Sequence, residues 1–139
     1  MVDGLTLDRV LTDIRVVAVV GLSDKAWRPS YGVARYLQEA GLRIIPVNPL
    51  LVGKTVLGES VYASLRDIPP EIRVDIVDIF RRSDLVPPIV DDAIARGDAK
   101  TIWMQQGVVN EDAAARARDA GLTVVMDSCL AVEHRVHVR

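Results

Sequence analysis

The sequence is short of several things, and each shortage excludes something. Cys129 is the single cysteine, so no internal disulfide can form and no cysteine cluster can hold a metal. Histidine is almost as scarce. His134 and His137 stand three residues apart with no third metal ligand beside them. Aromatics make up only 4 % of the chain, so Val, Ile, Leu and Ala must fill the core. No apolar run approaches the roughly 20 residues that a membrane span needs. The start, Met1-Val2-Asp3-Gly4, lacks the basic and apolar regions of a secretory signal.

Charge of one sign is also missing. With 17 basic and 19 acidic side chains the formal charge is −2. That balance gives nucleic acid no basic face and anionic lipid no polybasic patch. The expectation is a soluble cytoplasmic protein with no nucleic-acid or membrane partner. Any anion it binds must be held by local groups.

What is present is a repeating pattern. The 139 residues suit one domain, so residues 1–139 are expected to form a single unit, and half of them are apolar. Short β-branched runs alternate with amphipathic stretches that end in glycine. The strand candidates are Val16–Val20, Arg43–Val47, Val74–Ile79, Thr101–Trp103 and Thr123–Met126. Each is short and apolar, as strands covered on both faces should be.

Helices are expected over about Ser30–Ala40, Asp84–Arg96 and Asn110–Ala120, stopped by Gly41, Gly97 and Gly121. Asn110 can cap the third of these, and Pro87 and Pro88 fit the first turn of the second. A short helix is expected near Leu7–Ile14 and a helical turn near Tyr62–Asp67. Residues Leu50–Glu59 read as a loop with a small extended piece, and the segment with both histidines reads as a mobile tail.

Strand–helix alternation implies an α/β fold, a doubly wound and mainly parallel five-stranded sheet with helices on both faces. Ligands of such sheets sit beyond the carboxyl ends of the strands, where strand order reverses. Function should therefore be read in the loops that follow each strand.

The first such loop runs from Gly21 to Gly32. Gly21 permits a tight turn and close approach to the backbone. The helix that follows turns unpaired N–H groups toward the same space. Lys25 and Arg28 can add charge there, and Ser23, Ser30 and Tyr31 can add hydroxyls. The segment reads either as a diphosphate cradle or as a long turn that only eases the passage from strand to helix.

The glycine fingerprint of dinucleotide enzymes is missing from this loop. After the second strand, Asn48 stands where such enzymes place a carboxylate for the ribose hydroxyls, and Pro49 follows. The absence of a carboxylate permits a phosphorylated ribose.

The third strand ends in Phe80-Arg81-Arg82, which could bind phosphate and flank a base, or could simply precede a capped helix. The fourth ends in Gln105-Gln106-Gly107, a polar pocket wall or an ordinary turn. Cys129 is expected as a buried structural thiol because no activating histidine is in view. Trp27 and Trp103 read as packing residues rather than ligand stackers, although Trp27 sits in the first loop.

Taken together, these runs are similar to a known family. Val19-Val20-Gly21-Leu22-Ser23, Arg28-Pro29-Ser30-Tyr31-Gly32-Val33-Ala34 and Ile45-Pro46-Val47-Asn48-Pro49 resemble the small bacterial CoA-binding proteins. So do Val74-Asp75-Ile76-Val77-Asp78-Ile79-Phe80-Arg81-Arg82, Ile102-Trp103-Met104-Gln105-Gln106-Gly107-Val108 and Asp127-Ser128-Cys129-Leu130. That family is similar to the N-terminal domain of the succinyl-CoA synthetase α subunit.

The resemblance implies a Rossmann-like fold with coenzyme A across the carboxyl edge of the sheet. By it, Gly21, Leu22 and Ser23 would approach the pantetheine or diphosphate. Arg28, Ser30 and Tyr31 would sit near phosphate, and Asn48 and Pro49 would face the ribose. Phe80 and Arg81 would border the adenine, while Gln106 and Gly107 would close the pocket.

The synthetase also needs a second domain with a phosphorylated histidine and a partner subunit. Neither is expected in this chain, so the leading expectation is a CoA or acyl-CoA binder that performs no chemistry. Two other readings stand beside it. One is a sensor of nicotinamide dinucleotides. The other is a subunit acting through protein contacts, as a homo-oligomer or with another partner, its pocket vestigial.

Overall fold

The computed structural model describes residues 2–138. The chain forms helix α1 (Gly4–Thr12), strand β1 (Val16–Val20), helix α2 (Pro29–Glu39) and strand β2 (Arg43–Val47). A short hairpin of β3 (Thr55–Val56) and β4 (Glu59–Ser60) follows. Then come β5 (Ile76–Ile79), α3 (Val86–Arg96), β6 (Thr101–Met104), α4 (Glu111–Asp119), β7 (Thr123–Val125) and α5 (Leu130–His137).

Five strands pair in the order β2-β1-β5-β6-β7, all parallel. The order reverses between β1 and β5, so the chain leaves β1 toward one side and returns on the other. The doubly wound fold expected from the alternation of strands and helices is therefore the one observed.

Successive side chains of a strand face opposite ways, and the sheet separates two apolar layers accordingly. Ala18, Ile45, Val77 and Ile102 pack with Val90 of α3 and Ala117 of α4. Val17, Ile44, Ile76 and Trp103 pack with Leu11 of α1, Leu37 of α2 and Leu130 of α5. Both faces are covered, which is why these strands are apolar throughout rather than alternating.

Pro46 shows why β2 lies at the edge. Its carbonyl accepts the Tyr62 N–H at 3.0 Å, so the proline's missing donor faces outward and not toward β1.

Several boundaries differ from those expected, each for a local reason. Helix α1 begins at Gly4 because the Asp3 carboxylate accepts the Thr6 N–H at 2.8 Å. Strand β5 begins at Ile76 because the Val74 N–H is bound by Asp98 at 3.0 Å. A short turn, Ser83–Leu85, precedes α3, which therefore starts at Val86.

The expected mobile tail is instead helix α5. Its first N–H, on Leu130, donates to the Gln105 side chain at 3.0 Å. The Tyr36 hydroxyl lies 3.1 Å from Nδ1 of His134, which is buried, and burial pushes the His134 pKa below its ordinary value. His137 lies between Asp8 and Glu133. Cys129 precedes this helix and is half-buried, not enclosed as expected.

Three buried ionisable groups, Arg96, Asp98 and Asp78, were not singled out from the sequence. Arg96 donates to the carbonyls of Leu65, Ile68 and Ile72 and to Asp98. It pins the irregular segment before β5 onto α3. Burial works against the Asp98 carboxylate, but bonds from Arg96 and Val74 outweigh it and hold its pKa below the usual range.

Asp78 has no such help. It sits in β5 between Val19 and Trp103, fully buried, and neither carboxyl oxygen has a hydrogen-bond partner. Burial pushes its pKa well above the carboxylate range.

Candidate functional site

The carboxyl ends of β1, β2 and β5 meet at the point where strand order reverses. Gly21 closes β1 there, with φ +90°. A Cβ on it would lie 3.0 Å from the Phe80 carbonyl oxygen and 3.0 Å from Cδ of Arg81. Its N–H donates to the Val47 carbonyl at 2.8 Å. Glycine is thus required by the meeting of three strand ends. The chain's own Phe80 and Arg81 fill the space that a side chain would take.

The loop beyond Gly21 is braced by its own polar groups. The Ser23 N–H donates to Ser30 Oγ and the Lys25 N–H donates to Ser23 Oγ, each at 3.0 Å. The Arg28 N–H donates to the Lys25 carbonyl at 3.0 Å. Leu22 turns its side chain into the core. Asn48 reaches across from the end of β2 and donates to the Leu22 carbonyl at 3.0 Å, while its own oxygen accepts the Leu50 N–H at 3.0 Å. Asn48 therefore serves as a joint between two loops.

Helix α2 starts in a way that favours an anion. Arg28 occupies the capping position, no side chain caps the helix, and the first turn holds no carboxylate. Pro29 has no N–H, and the N–H groups of Tyr31 and Gly32 turn back to the Arg28 carbonyl. Helix N-termini carry partial positive charge and ordinarily attract a carboxylate or a hydroxyl cap. The loop before the helix carries two cations, Lys25 and Arg28, and one exposed carboxylate, Asp24. Lys25 and Arg28 are exposed and Arg81 is half-exposed. Among the described residues none of the three has an ion-pair partner, whereas Arg82 is paired with Asp84 at 3.2 Å.

On the opposite face of the sheet lies a cleft of about 210 Å³. Val20, Val47, Leu65 and Ile89 line it, with Pro49 and Arg81 among its other lining residues. Phe80 and Arg81 diverge here. Phe80 packs against the layer under α2, while Arg81 lines the cleft on the α3 side. Tyr31 packs against the α2 layer as Phe80 does.

Gln106 and Gly107 lie one strand further along, exposed at the end of β6, and do not line the cleft. The Gly107 N–H donates to Asp127 at 2.7 Å, and Ser83 Oγ accepts the Val109 N–H at 3.0 Å. These bonds stitch the ends of β5, β6 and β7 together.

A further cavity, about 940 Å³, lies along the outer edge of β7 against α1, away from the first loop. Among the described residues no cluster of three His, Cys, Asp or Glu side chains could hold a metal ion. No helix among them is long and apolar enough to cross a membrane.

Trp27, expected to pack rather than to stack on a ligand, is instead 76 % exposed, in the first loop next to Arg28. Trp103 is fully buried as expected, its indole N–H donating to the Ser128 carbonyl at 2.9 Å.

Comparison with known proteins adds a family. Residues 15–135 match the model of the CoA binding domain. The uncharacterized protein YneT of Bacillus subtilis (strain 168) is 41 % identical over 130 residues, covering 94 % of this chain and 93 % of that protein. A solved structure from Thermus thermophilus superposes with a TM-score of 0.91 at 33 % identity, covering 98 % of this chain and 99 % of the other. A dinucleotide forming acetyl-coenzyme A synthetase 1 from Ca. Korarchaeum cryptofilum is similar at a TM-score of 0.72 and 24 % identity. There the match covers 87 % of this chain but 28 % of the synthetase, and it shows the fold alone.

Proposed function

Because this chain belongs to the CoA binding domain family, we propose that it binds coenzyme A across the carboxyl edge of its sheet and performs no chemistry of its own. The observation that carries this reading is the start of α2. A helix with no side-chain cap, no carboxylate in its first turn and an arginine at its capping position suits the diphosphate of such a ligand.

The residues fit the rest of the molecule as well. Arg28 and Lys25 would hold the diphosphate from one side, while Ser30, which is buried and accepts the Ser23 N–H, would brace the loop. The cleft beside Val47 and Pro49 is apolar enough for the adenine, and Arg81 supplies a cation for the phosphate on the ribose. Asn48 would contribute by fixing the loop rather than by touching the ligand. The histidines are engaged within the α5 packing, His134 with Tyr36 and His137 with Asp8 and Glu133, which supports binding without group transfer.

Calorimetric titration with CoA, 3′-dephospho-CoA and NADH tests the reading. CoA should bind, and loss of the 3′-phosphate should weaken it by about tenfold or more, the worth of one charge-assisted contact. Binding of NADH in preference to CoA would overturn the proposal, as would silence with all three at millimolar concentration.

A further inference from the structure

The cleft and the start of α2 lie on opposite faces of the sheet. A ligand that put its base in the cleft and its diphosphate on α2 would cross the sheet edge between β1 and β5. Its remaining part would then continue beyond the amino end of α2. The side chain that precedes that end is Trp27.

Trp27 is held out, not left loose. The loop carrying it is fastened at Ser23, Lys25, Arg28 and Leu22 by the bonds described above. Yet the indole touches little of the protein, being 76 % exposed beside Arg28, which has no ion-pair partner among the described residues. A large aromatic surface in a braced loop at the rim of a site gains free energy when a ligand brings it apolar area. In coenzyme A the group next to the diphosphate on the side away from the base is a branched hydrocarbon segment of the pantetheine arm.

We infer that Trp27 is a ligand-contacting residue whose indole packs on the pantetheine arm of bound CoA, next to the phosphates. The inference rests on the CoA reading and assigns that arm its wall.

The test compares wild type with Trp27→Ala, using two ligands in calorimetric titrations. One is CoA. The other is adenosine 3′,5′-bisphosphate, which keeps the base, the ribose and the 3′-phosphate but has no arm. The variant should lose about tenfold in affinity for CoA, the effect of uncovering part of an aromatic face, and bind the bisphosphate as wild type does. Indole emission should shift with CoA and stay fixed with the bisphosphate, because Trp103 is enclosed. If the variant binds both ligands normally, or loses both equally, the inference is overturned while the CoA reading stands. If wild type binds neither ligand, the CoA reading fails and takes the inference with it.

Discussion

The side-chain amide of Asn48 donates to the Leu22 carbonyl at 3.0 Å, and by that bond the end of β2 holds the first loop in place. Asn48→Asp replaces the donor with a carboxylate facing a carbonyl. It should cost about 1–3 kcal/mol of stability, the penalty for a broken, partly buried polar contact. CoA affinity should fall with it, since the loop is released and negative charge is added near the phosphates. Urea unfolding and calorimetry check both effects. A variant with unchanged stability and affinity would show that the joint is idle.

Gly21 is the second test of the loop. Its φ of +90° and the 3.0 Å approach to the Phe80 carbonyl leave no room for a methyl group. Gly21→Ala should destabilise by about 2 kcal/mol or more, from backbone strain together with the clash. Chemical denaturation measures it. A loss of only a few tenths would mean that the strand ends can part easily.

Asp78 makes a prediction about pH. Burial raises its pKa in the folded state, so the native protein keeps a proton that the unfolded chain gives up. The stability linked to that proton is full below the unfolded value near 3.8 and is lost as pH rises toward the folded value. Asp78→Asn cannot ionise. It should be more stable than wild type at neutral pH, and the difference should shrink as pH falls toward 4. Thermal unfolding across that range decides it. A gap independent of pH would remove Asp78 as its source.

Arg96 ties the wall of the cleft to the core. Its guanidinium serves three carbonyls and Asp98, with only 9 % of its side chain exposed. Arg96→Lys keeps the charge but loses the planar fork. Stability should drop by about 3 kcal/mol, as when a buried ion pair loses its geometry. Because Leu65 lines the cleft, CoA should also bind less tightly to the fraction that remains folded. Equilibrium unfolding and titration at low temperature separate the two effects.

Much of this architecture was legible before the structure. The core strands and the three central helices are local features, each marked by β-branched residues, a cap or a stopping glycine. Helix α5 was not legible, because Leu130–His137 mixes apolar and basic residues with little amphipathic contrast and is held by partners distant in sequence, Gln105 and Tyr36. The strand-end loops were readable as a set, but not the faces they take. Neighbouring residues Phe80 and Arg81 point to opposite layers, and only the sheet reveals that. Trp27 was misjudged because an indole ordinarily seeks the interior, and a sequence carries no sign that a loop holds it out. Asp78 was hidden among the apolar residues of its own strand.

The measurement that bears most directly on the account is the titration of CoA into wild type and Arg28→Ala. Arg28 is exposed at the capping position of α2 and, among the described residues, its side chain has no ion-pair partner, so its loss should leave the melting temperature unchanged. The account predicts CoA binding to wild type and at least about tenfold weaker binding to the variant, the scale of one lost contact to a charged phosphate. Equal affinity in the two proteins would contradict the claim that the start of α2 grips the ligand's phosphates.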